Sequence, residues 1–251
     1  MNSVISAIVI FITHMLEGIT GFGSTVLALP FLNVTIGLRI SVQLLCVLSW
    51  SMALYIVLRS WKNILWKEFL FIVLWAGLGM PLGIWLFDKL PGAWLCIFLG
   101  IFMVGVGIRG EIATLKPRKP EQTTRVAKRT IIMKILLLCG GIIQGAFGTG
   151  GPFVVIYSSQ ALPDKRVFRV TLSLLWLSTN SIRLLKWGVS GELWNRELGG
   201  YLLWAFPVMF AGVLLGDYLH NKVSEHHFKV GVYAILVLSG IFMVVNNAIN
   251  V

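Results

Sequence analysis

Residues His14–Pro30 read HMLEGITGFGSTVLALP, and this stretch interrupts the first apolar segment of the chain. It brings the carboxylate of Glu17 and three glycines, Gly18, Gly21 and Gly23, into otherwise apolar sequence. Glycine inside a helix costs about 1 kcal/mol relative to alanine, and a carboxylate in apolar surroundings needs a partner or a proton. The stretch therefore predicts a break in a helix, with an ionisable group beside the break.

The same pattern occurs a second time in the chain. A shift of 127 residues aligns Glu17–Thr25 (EGITGFGST) with Gln144–Pro152 (QGAFGTGGP). In this alignment all three glycines of the first stretch fall on glycines of the second. Further matches follow in the same order. The same shift pairs Arg39 with Arg166, a slightly larger offset pairs Gly79 and Gly83 with Gly212 and Gly216, and GIFMV occurs at both Gly100–Val104 and Gly240–Val244. An internal duplication follows from these matches. It predicts an N-terminal repeat over residues 1–108 and a C-terminal repeat over residues 131–251.

The composition indicates a membrane protein. Of 251 residues, 57% are hydrophobic and only 12% are charged, whereas soluble domains carry roughly 25% charged residues. Several apolar runs approach or exceed the roughly 18 residues of a membrane-crossing helix. The clearest are Val4–Met15, Leu44–Leu58, Phe69–Phe87, Trp94–Ile108, Ile131–Ile143, Val170–Ile182, Tyr201–Leu219 and Val230–Val245. We predict an all-α polytopic membrane protein in which each repeat has a glycine-broken helical hairpin and three transmembrane helices.

The segment between the repeats, residues 109–130, is the only long polar one. Its prolines, Pro117 and Pro120, predict an extended, non-helical linker. Its many basic side chains predict a cytoplasmic location, because loops on that side carry an excess of lysine and arginine. The same bias explains the net charge of +11 better than nucleic acid does, and no nucleic-acid partner is expected.

The distribution of basic residues also predicts the orientation of the repeats. An inverted arrangement with both termini outside puts most lysines and arginines on the cytoplasmic side. It requires that each glycine-rich region either dips into the membrane and returns or crosses it twice, and the sequence leaves these two alternatives open.

The two glycine-rich regions predict a binding site. Residues 4–37 and 131–163 are each too long for one crossing of about 30 Å, so each region is expected to form two short helices joined by an unwound turn. Pro152 suits the first turn of such a second helix, and Ser24 and Thr25 suit the N-cap in the first repeat. Free N–H groups and a positive helix end at each turn favour an anion. The alternative is that these glycines only allow close helix packing.

The two motifs resemble those of a known family. QGAFGTGGPFVVIYSSQALP, Gln144–Pro163, and EGITGFGSTVLALP, Glu17–Pro30, are similar to the glycine-rich motifs of the sulfite exporter TauE/SafE family. The resemblance implies a multispan permease of the bacterial inner membrane that moves sulfite, sulfonates or related organosulfur anions, commonly outward. Ser24 and Thr25 replace later glycines of the motif, which changes one wall of the site and leaves sulfite itself open as the substrate.

Candidate residues follow from the breaks. Those expected to bind substrate are Gly18, Gly21, Gly23, Ser24, Thr25, Gln144, Gly145, Gly148, Thr149, Gly150, Gly151, Pro152, Asn180 and Arg183. Glu17 is expected to carry a proton, relayed through His14, unless its carboxylate only accepts hydrogen bonds from the unwound turn. For Arg183, snorkelling to the membrane surface is the alternative to lining an anion vestibule.

Other classes of function find less support in the sequence. We expect no catalytic residue, no metal site and no cofactor, because the histidines and the three cysteines show no ligand spacing and no nucleotide-binding motif is present. A passive anion channel or a carrier of another small organic anion is the nearest alternative. The expected partners are a small anionic substrate and the lipid bilayer, and homo-oligomerisation is left open.

Overall fold

The computed structural model of the chain describes residues 2–20, 23–115, 130–162, 165–219 and 225–248, and all regular structure in these ranges is helical. The helices are α1 Asn2–Thr20, α2 Ser24–Ile36, α3 Leu38–Ser60, α4 Trp66–Lys89, α5 Gly92–Leu115, α6 Ile131–Phe147, α7 Gly151–Ala161, α8 Lys165–Ser190, α9 Arg196–Leu219 and α10 Glu225–Ala248. The order is a short pair followed by three long helices, twice. This confirms the predicted all-α class with a broken segment at the start of each half.

Four helical stretches in the described ranges are long and apolar enough to cross a membrane, and they are Leu38–Asn63, Trp66–Lys89, Gly92–Ile112 and Arg196–Leu219. Many of their large apolar side chains, such as Leu78 and Leu82 of α4, are exposed on the protein surface, as expected for helices that face lipid. The helix α8 is long enough but does not belong to this set. Its middle is less apolar than those of the four, because it carries the polar run Ser178–Ser181 and Arg183.

The helix α5 ends later than predicted. It continues through Leu115, so residues 109–115, which we assigned to an extended linker, are helical. Helices usually end at or before the residue that precedes a proline. Pro117 therefore allows α5 to continue for about two turns after Ile108. Pro117 and Pro120 themselves lie outside the described residues.

The helices form two compact packing units. Unit 1 comprises Met1–Ser41, Lys89–Thr123 and Pro207–Val251, and unit 2 comprises Val42–Asp88 and Thr124–Phe206. Each unit draws on both halves of the sequence.

In unit 2, glycines bring α4 and α6 into backbone contact. A Cβ atom at Gly79 would lie 2.2 Å from the carbonyl oxygen of Leu138, and one at Gly83 would lie 2.0 Å from that of Ile142. From the other side, a Cβ atom at Gly145 would lie 2.2 Å from the carbonyl oxygen of Met80. Real Cβ atoms never approach an oxygen so closely, so only glycine fits at these crossings.

Unit 1 contains the same three contacts between α9 and α1. Gly212 lies against the carbonyl oxygen of Phe11, and Gly216 against that of Met15. The third contact joins Gly18 to the carbonyl oxygen of Val213. Each of these residues is the duplicate of one at the α4–α6 crossing, which supports the duplication inferred from the sequence.

Each short pair folds back on itself as a hairpin. In unit 1 the Oγ of Ser6, near the start of α1, lies 2.9 Å from the Oγ1 of Thr35, near the end of α2. In unit 2 a Cβ atom at Gly150 would lie 2.1 Å from the carbonyl oxygen of Gly140, so α7 returns along α6. The 11 residues of α7 reach about 16 Å, roughly half of the hydrocarbon core.

The α4–α6 crossing gives a matched pair of mutations. Gly79→Ala is expected to lower the melting temperature of the purified protein by several degrees, because the methyl group meets the Leu138 carbonyl and overpacking costs about 1–3 kcal/mol. Gly77→Ala, on the same helix, has open space around the new methyl group and should leave the melting temperature unchanged or raise it. Equal melting temperatures for the two variants would contradict the tight crossing.

Candidate functional site

The second break, residues 148–150, separates α6 from α7 in unit 2. Gly148 has a φ of 71°, a left-handed conformation that favours glycine, and its N–H donates to the carbonyl of Gln144 at 2.9 Å. This contact ends α6 at Phe147. The helix α7 then begins with Pro152 in its first turn, as the sequence predicted.

The side chain of Gln144 holds the second break in place. Its Oε1 accepts the N–H of Gly150 at 2.9 Å, and its Nε2 donates to the Oγ1 of Thr179 at 3.1 Å and to the Oδ1 of Asn180 at 2.9 Å. Gln144 therefore ties the start of α7 to the middle of α8. A neutral amide is suited to this position because it must accept from one side and donate to the other.

Arg183 of α8 is buried at the end of α6, with 2% of its surface exposed. Its Nη1 donates to the carbonyl of Gln144 at 3.1 Å and its Nη2 to that of Ala146 at 3.2 Å. Carbonyls at a helix end lack partners within the helix and favour a cation. The guanidinium also lies 4.6 Å from the ring centroid of Trp187 and 5.6 Å from that of Phe87. The snorkelling alternative was wrong, because these contacts hold the side chain inside the protein.

No carboxylate pairs with this guanidinium among the residues that the structure describes. The nearby Asp88 forms an ion pair with Lys186, one turn further along α8. A shallow cleft beside the break is lined by Ile84, Phe87, Gly145, Arg183, Lys186 and Trp187. The second break thus carries a net positive charge at a buried position.

Two further polar side chains at the second break are buried without a hydrogen-bond partner in the described part of the chain. They are Thr149, whose Oγ1 belongs to the unwound turn itself, and Asn180, whose Nδ2 is the free half of the amide that Gln144 contacts. Buried polar groups are almost always hydrogen-bonded. Both atoms can donate, so this pair is suited to a ligand that offers acceptors.

The first break, residues 21–23, separates α1 from α2 in unit 1. Gly23 has a φ of 101° and α2 begins at the next residue. Gly21 lies outside the described residues. The prediction that Ser24 and Thr25 cap α2 was wrong, because Gly23 takes the N-cap position and no side chain caps the helix. Both lie inside the first turn and are buried, and the Oγ of Ser24 has no described partner.

His14 and Glu17 lie on one face of α1, since the helix continues to Thr20. Both are buried, with 0% and 7% of their surfaces exposed. The Nδ1–H of His14 donates to the carbonyl of Ile10 at 2.8 Å, which leaves Nε2 as an acceptor in the neutral ring. That Nε2 and the Oε2 of Glu17 have no hydrogen-bond partner in the ranges described.

The family model for the sulfite exporter TauE/SafE matches residues 6–243. The chain belongs to the TauE/SafE family. It is therefore a multi-pass membrane protein of a transporter family, in agreement with its apolar helices.

Two curated relatives are similar to this TauE/SafE chain. The probable inner membrane transporter protein TsaS of Comamonas testosteroni is 24% identical over 186 residues, which cover 72% of this chain and 73% of TsaS. A probable membrane transporter protein of Methanocaldococcus jannaschii is 25% identical over 196 residues, which cover 72% of this chain and 69% of the relative. No solved structure matches the chain significantly.

The structure groups the candidate residues of this TauE/SafE protein by unit. Unit 2 brings together those of the second break, namely Gln144, Gly145, Gly148, Thr149, Gly150, Gly151, Pro152, Asn180 and Arg183. Unit 1 holds His14, Glu17, Gly18, Gly23, Ser24 and Thr25. Gly18 and Gly145 lie at helix crossings, so the packing alternative describes these two glycines. In the described ranges no group of three or more His, Cys, Asp or Glu side chains forms a metal site.

Sequence reasoning missed Thr179 and Trp187. Both lie on the face of α8 that carries Arg183, since each is four residues from it along the helix. The polar run of α8 was the available signal. Asn180 and Arg183 were predicted from this run, whereas the neighbouring Thr179, and Trp187 one turn further on, were not.

Proposed function

We propose that the protein is a secondary transporter of the bacterial inner membrane that exports a small sulfur-containing anion, such as sulfite or an organosulfonate. The family and the word "transporter" in the names of both relatives support the transport of a small molecule. The inner membrane is the location in the name of TsaS. The chemistry of the second break supports an anion as the substrate, and the outward direction is what the resemblance to the family implies.

The observation that carries the proposal is the set of donors at the second break. Arg183 supplies a buried positive charge, Thr149 and Asn180 supply buried donors, and the first turn of α7 supplies backbone N–H groups. Charge-assisted hydrogen bonds to an oxyanion are about twice as strong as neutral ones. A sulfite or sulfonate group has three acceptor oxygens and one or two negative charges, so it suits a site with several donors and one cation.

Coupling to the proton gradient is the second part of the proposal. Ionisable side chains inside a membrane protein are costly and are usually functional. We infer that Glu17 carries the proton and that His14 passes it on, since both are buried on one face of α1.

The repeat structure is the third part. We infer that residues 1–108 and 131–251 are inverted repeats joined by the basic segment 109–130, with both termini outside. The matched glycine contacts of α4 with α6 and of α9 with α1 support two equivalent halves. Inverted repeats with broken helices are a recurring design in secondary transporters.

Thr149→Val is expected to raise the KM for the transported anion about tenfold, with a smaller change in the maximal rate. The variant removes one donor to a charged ligand, and such hydrogen bonds contribute about 1.5–3 kcal/mol. Initial rates of uptake into vesicles measure both parameters. The matched control is Ser178→Ala, whose hydroxyl already donates to the carbonyl of Leu174 within its own helix. A KM for Thr149→Val equal to that of the control would contradict a direct contact.

Counterflow in proteoliposomes tests the proposed function. Vesicles loaded with an unlabelled anion should concentrate the labelled anion from outside, because a carrier exchanges substrate across the membrane. A passive anion channel lets the label equilibrate without concentrating it. A panel of sulfite, alkanesulfonates, sulfate and small carboxylates would separate sulfur anions from other organic anions, and failure of every sulfur anion would contradict the proposal.

A further inference from the structure

The two breaks have opposite charges at equivalent places. The 127-residue shift pairs Glu17 with Gln144, and it pairs Arg59 with Lys186 near the ends of α3 and α8. Between these anchors it pairs Arg183 with Ile56. The second break therefore has a neutral amide and a built-in guanidinium, whereas the equivalent sequence positions of the first repeat hold a carboxylate and an isoleucine.

The guanidinium has a defined role in the second break. Arg183 neutralises the carbonyl end of α6 by donating to Gln144 and Ala146. The end of α1 has the same need, because the last carbonyls of any helix lack partners within it and carry a partial negative charge. Glu17 adds a full negative charge at that end when it is ionised.

The buried atoms of the first break that lack a described partner are acceptors. The Nε2 of His14 is an acceptor because Nδ1 donates to Ile10, and the Oε2 of Glu17 is an acceptor by nature. The Oγ of Ser24, at the start of α2, can accept as well. All three side chains are more than nine-tenths buried. The atoms of His14 and Glu17 are acceptors near the carbonyl end of α1, where a cation is favoured, whereas the unpaired atoms of the second break can donate.

We infer that the first break binds one exchangeable monovalent cation, which takes the charge-balancing role that Arg183 has in the second break. Glu17 is the main ligand, with Ser24 and His14 beside it. The cation is a proton or an alkali metal ion, since a carboxylate, a hydroxyl and helix carbonyls suit both. This inference rests on the proposed transport function in one respect only, namely that an exchangeable cation bound by a carrier is its coupling ion.

In the described ranges, the helices packed against α1 and α2 carry few charged groups near the site. The helix α10, which packs against α2, carries its titratable residues only between Glu225 and Tyr233, in its first nine residues. The helix α2 carries no titratable side chain. The helix α9, which crosses α1 at Gly18, carries Asp217 near the crossing, and the Asp217 side chain is exposed. Glu17 and His14 are therefore the buried titratable pair, and Asp217→Asn is a control for the remaining carboxylate.

The melting temperature of the purified protein tests the inference without an anion. For the wild type we expect the melting temperature to rise by about 5 °C under one of two changes, because a ligand of the folded state stabilises it. The first change is the replacement of choline chloride by sodium chloride, and the second is a decrease of the pH from about 8 to about 5. Glu17→Gln should lose that response, and Asp217→Asn should keep it. Glu17→Gln should fold, since the chain already uses glutamine at the duplicate position. A wild type that responds to neither cation, or a Glu17→Gln variant that responds fully, would overturn the inference.

The reciprocal variant, Gln144→Glu, tests the comparison with Arg183. It places a carboxylate beside a cation that is already present, so it should gain no response to sodium ions or protons. A new response of wild-type size would show that Arg183 does not replace a bound cation, and would overturn that part of the inference. Sulfur-anion counterflow under saturating cation is a separate readout. Its absence would contradict the proposed function and leave the melting-temperature result to decide the cation site.

Discussion

Arg183→Met is expected to reduce sulfur-anion counterflow at least a hundredfold while changing the thermal stability of the protein little. Two opposing terms determine the stability. The variant leaves the carbonyl of Ala146 without this donor, at about 1–3 kcal/mol, while the carbonyl of Gln144 keeps the N–H of Gly148. It also removes a buried cation whose desolvation costs several kcal/mol. Because these terms offset one another, stability alone gives no reason for an arginine at this position, whereas anion binding does.

Arg183→Lys separates charge from geometry. Lysine keeps the positive charge, but its single ammonium cannot reach two carbonyls two residues apart and stack on Trp187 at the same time. We expect intermediate transport with a raised KM. Lys186→Met is the matched control on the same helix, since Lys186 lies at the partly exposed ion pair with Asp88, and its effect should be small. Wild-type counterflow in Arg183→Met would exclude a role of this guanidinium in transport.

Gly150→Ala is expected to abolish transport and to lower the melting temperature clearly. The new methyl group would lie 2.1 Å from the carbonyl oxygen of Gly140 and 2.8 Å from the Cβ of Gln144. The hairpin would have to open at the point where the Gly150 N–H meets Gln144. An opened turn loses the arrangement of donors, and overpacking adds about 1–3 kcal/mol.

The neighbouring glycine provides the control for this prediction. A Cβ atom at Gly151 would meet only Trp176, at 3.9 Å, which is an ordinary contact. Gly151→Ala should therefore keep the melting temperature of the wild type. Differential scanning fluorimetry of the two variants compares them directly. If Gly150→Ala melts at the same temperature as Gly151→Ala, the α6–α7 hairpin is not closed as described.

The two breaks were predictable because glycine and proline influence the backbone through their own covalent structure, whatever surrounds them. Glycine at Gly23 and Gly148 allows positive φ angles, and Pro152 suits the first turn of a helix, where its missing N–H would have no partner within the helix. The duplication strengthened this prediction, because a single set of glycines would have been weak evidence for a break. Fold class and the order of short and long helices follow from such local properties and from apolar length.

The contacts that make a site from the second break were not predictable in the same way. Whether Arg183 turns inward or snorkels depends on the carbonyl end of α6, a partner 37 residues away in sequence. The capping prediction for Ser24 failed because one residue of difference in the position of the turn moves a side chain from the N-cap into the helix. Long-range partners and single-residue boundaries both require the packed structure.

Equilibrium binding of labelled ethanesulfonate to the purified protein tests most directly whether the second break is an anion site. We predict saturable binding to the wild type that sulfite displaces and that dimethyl sulfone, of similar shape but without charge, does not displace. Arg183→Met should bind no detectable ligand. Equal displacement by dimethyl sulfone, or unchanged binding to Arg183→Met, would contradict an anion site built on Arg183 and the α6–α7 break.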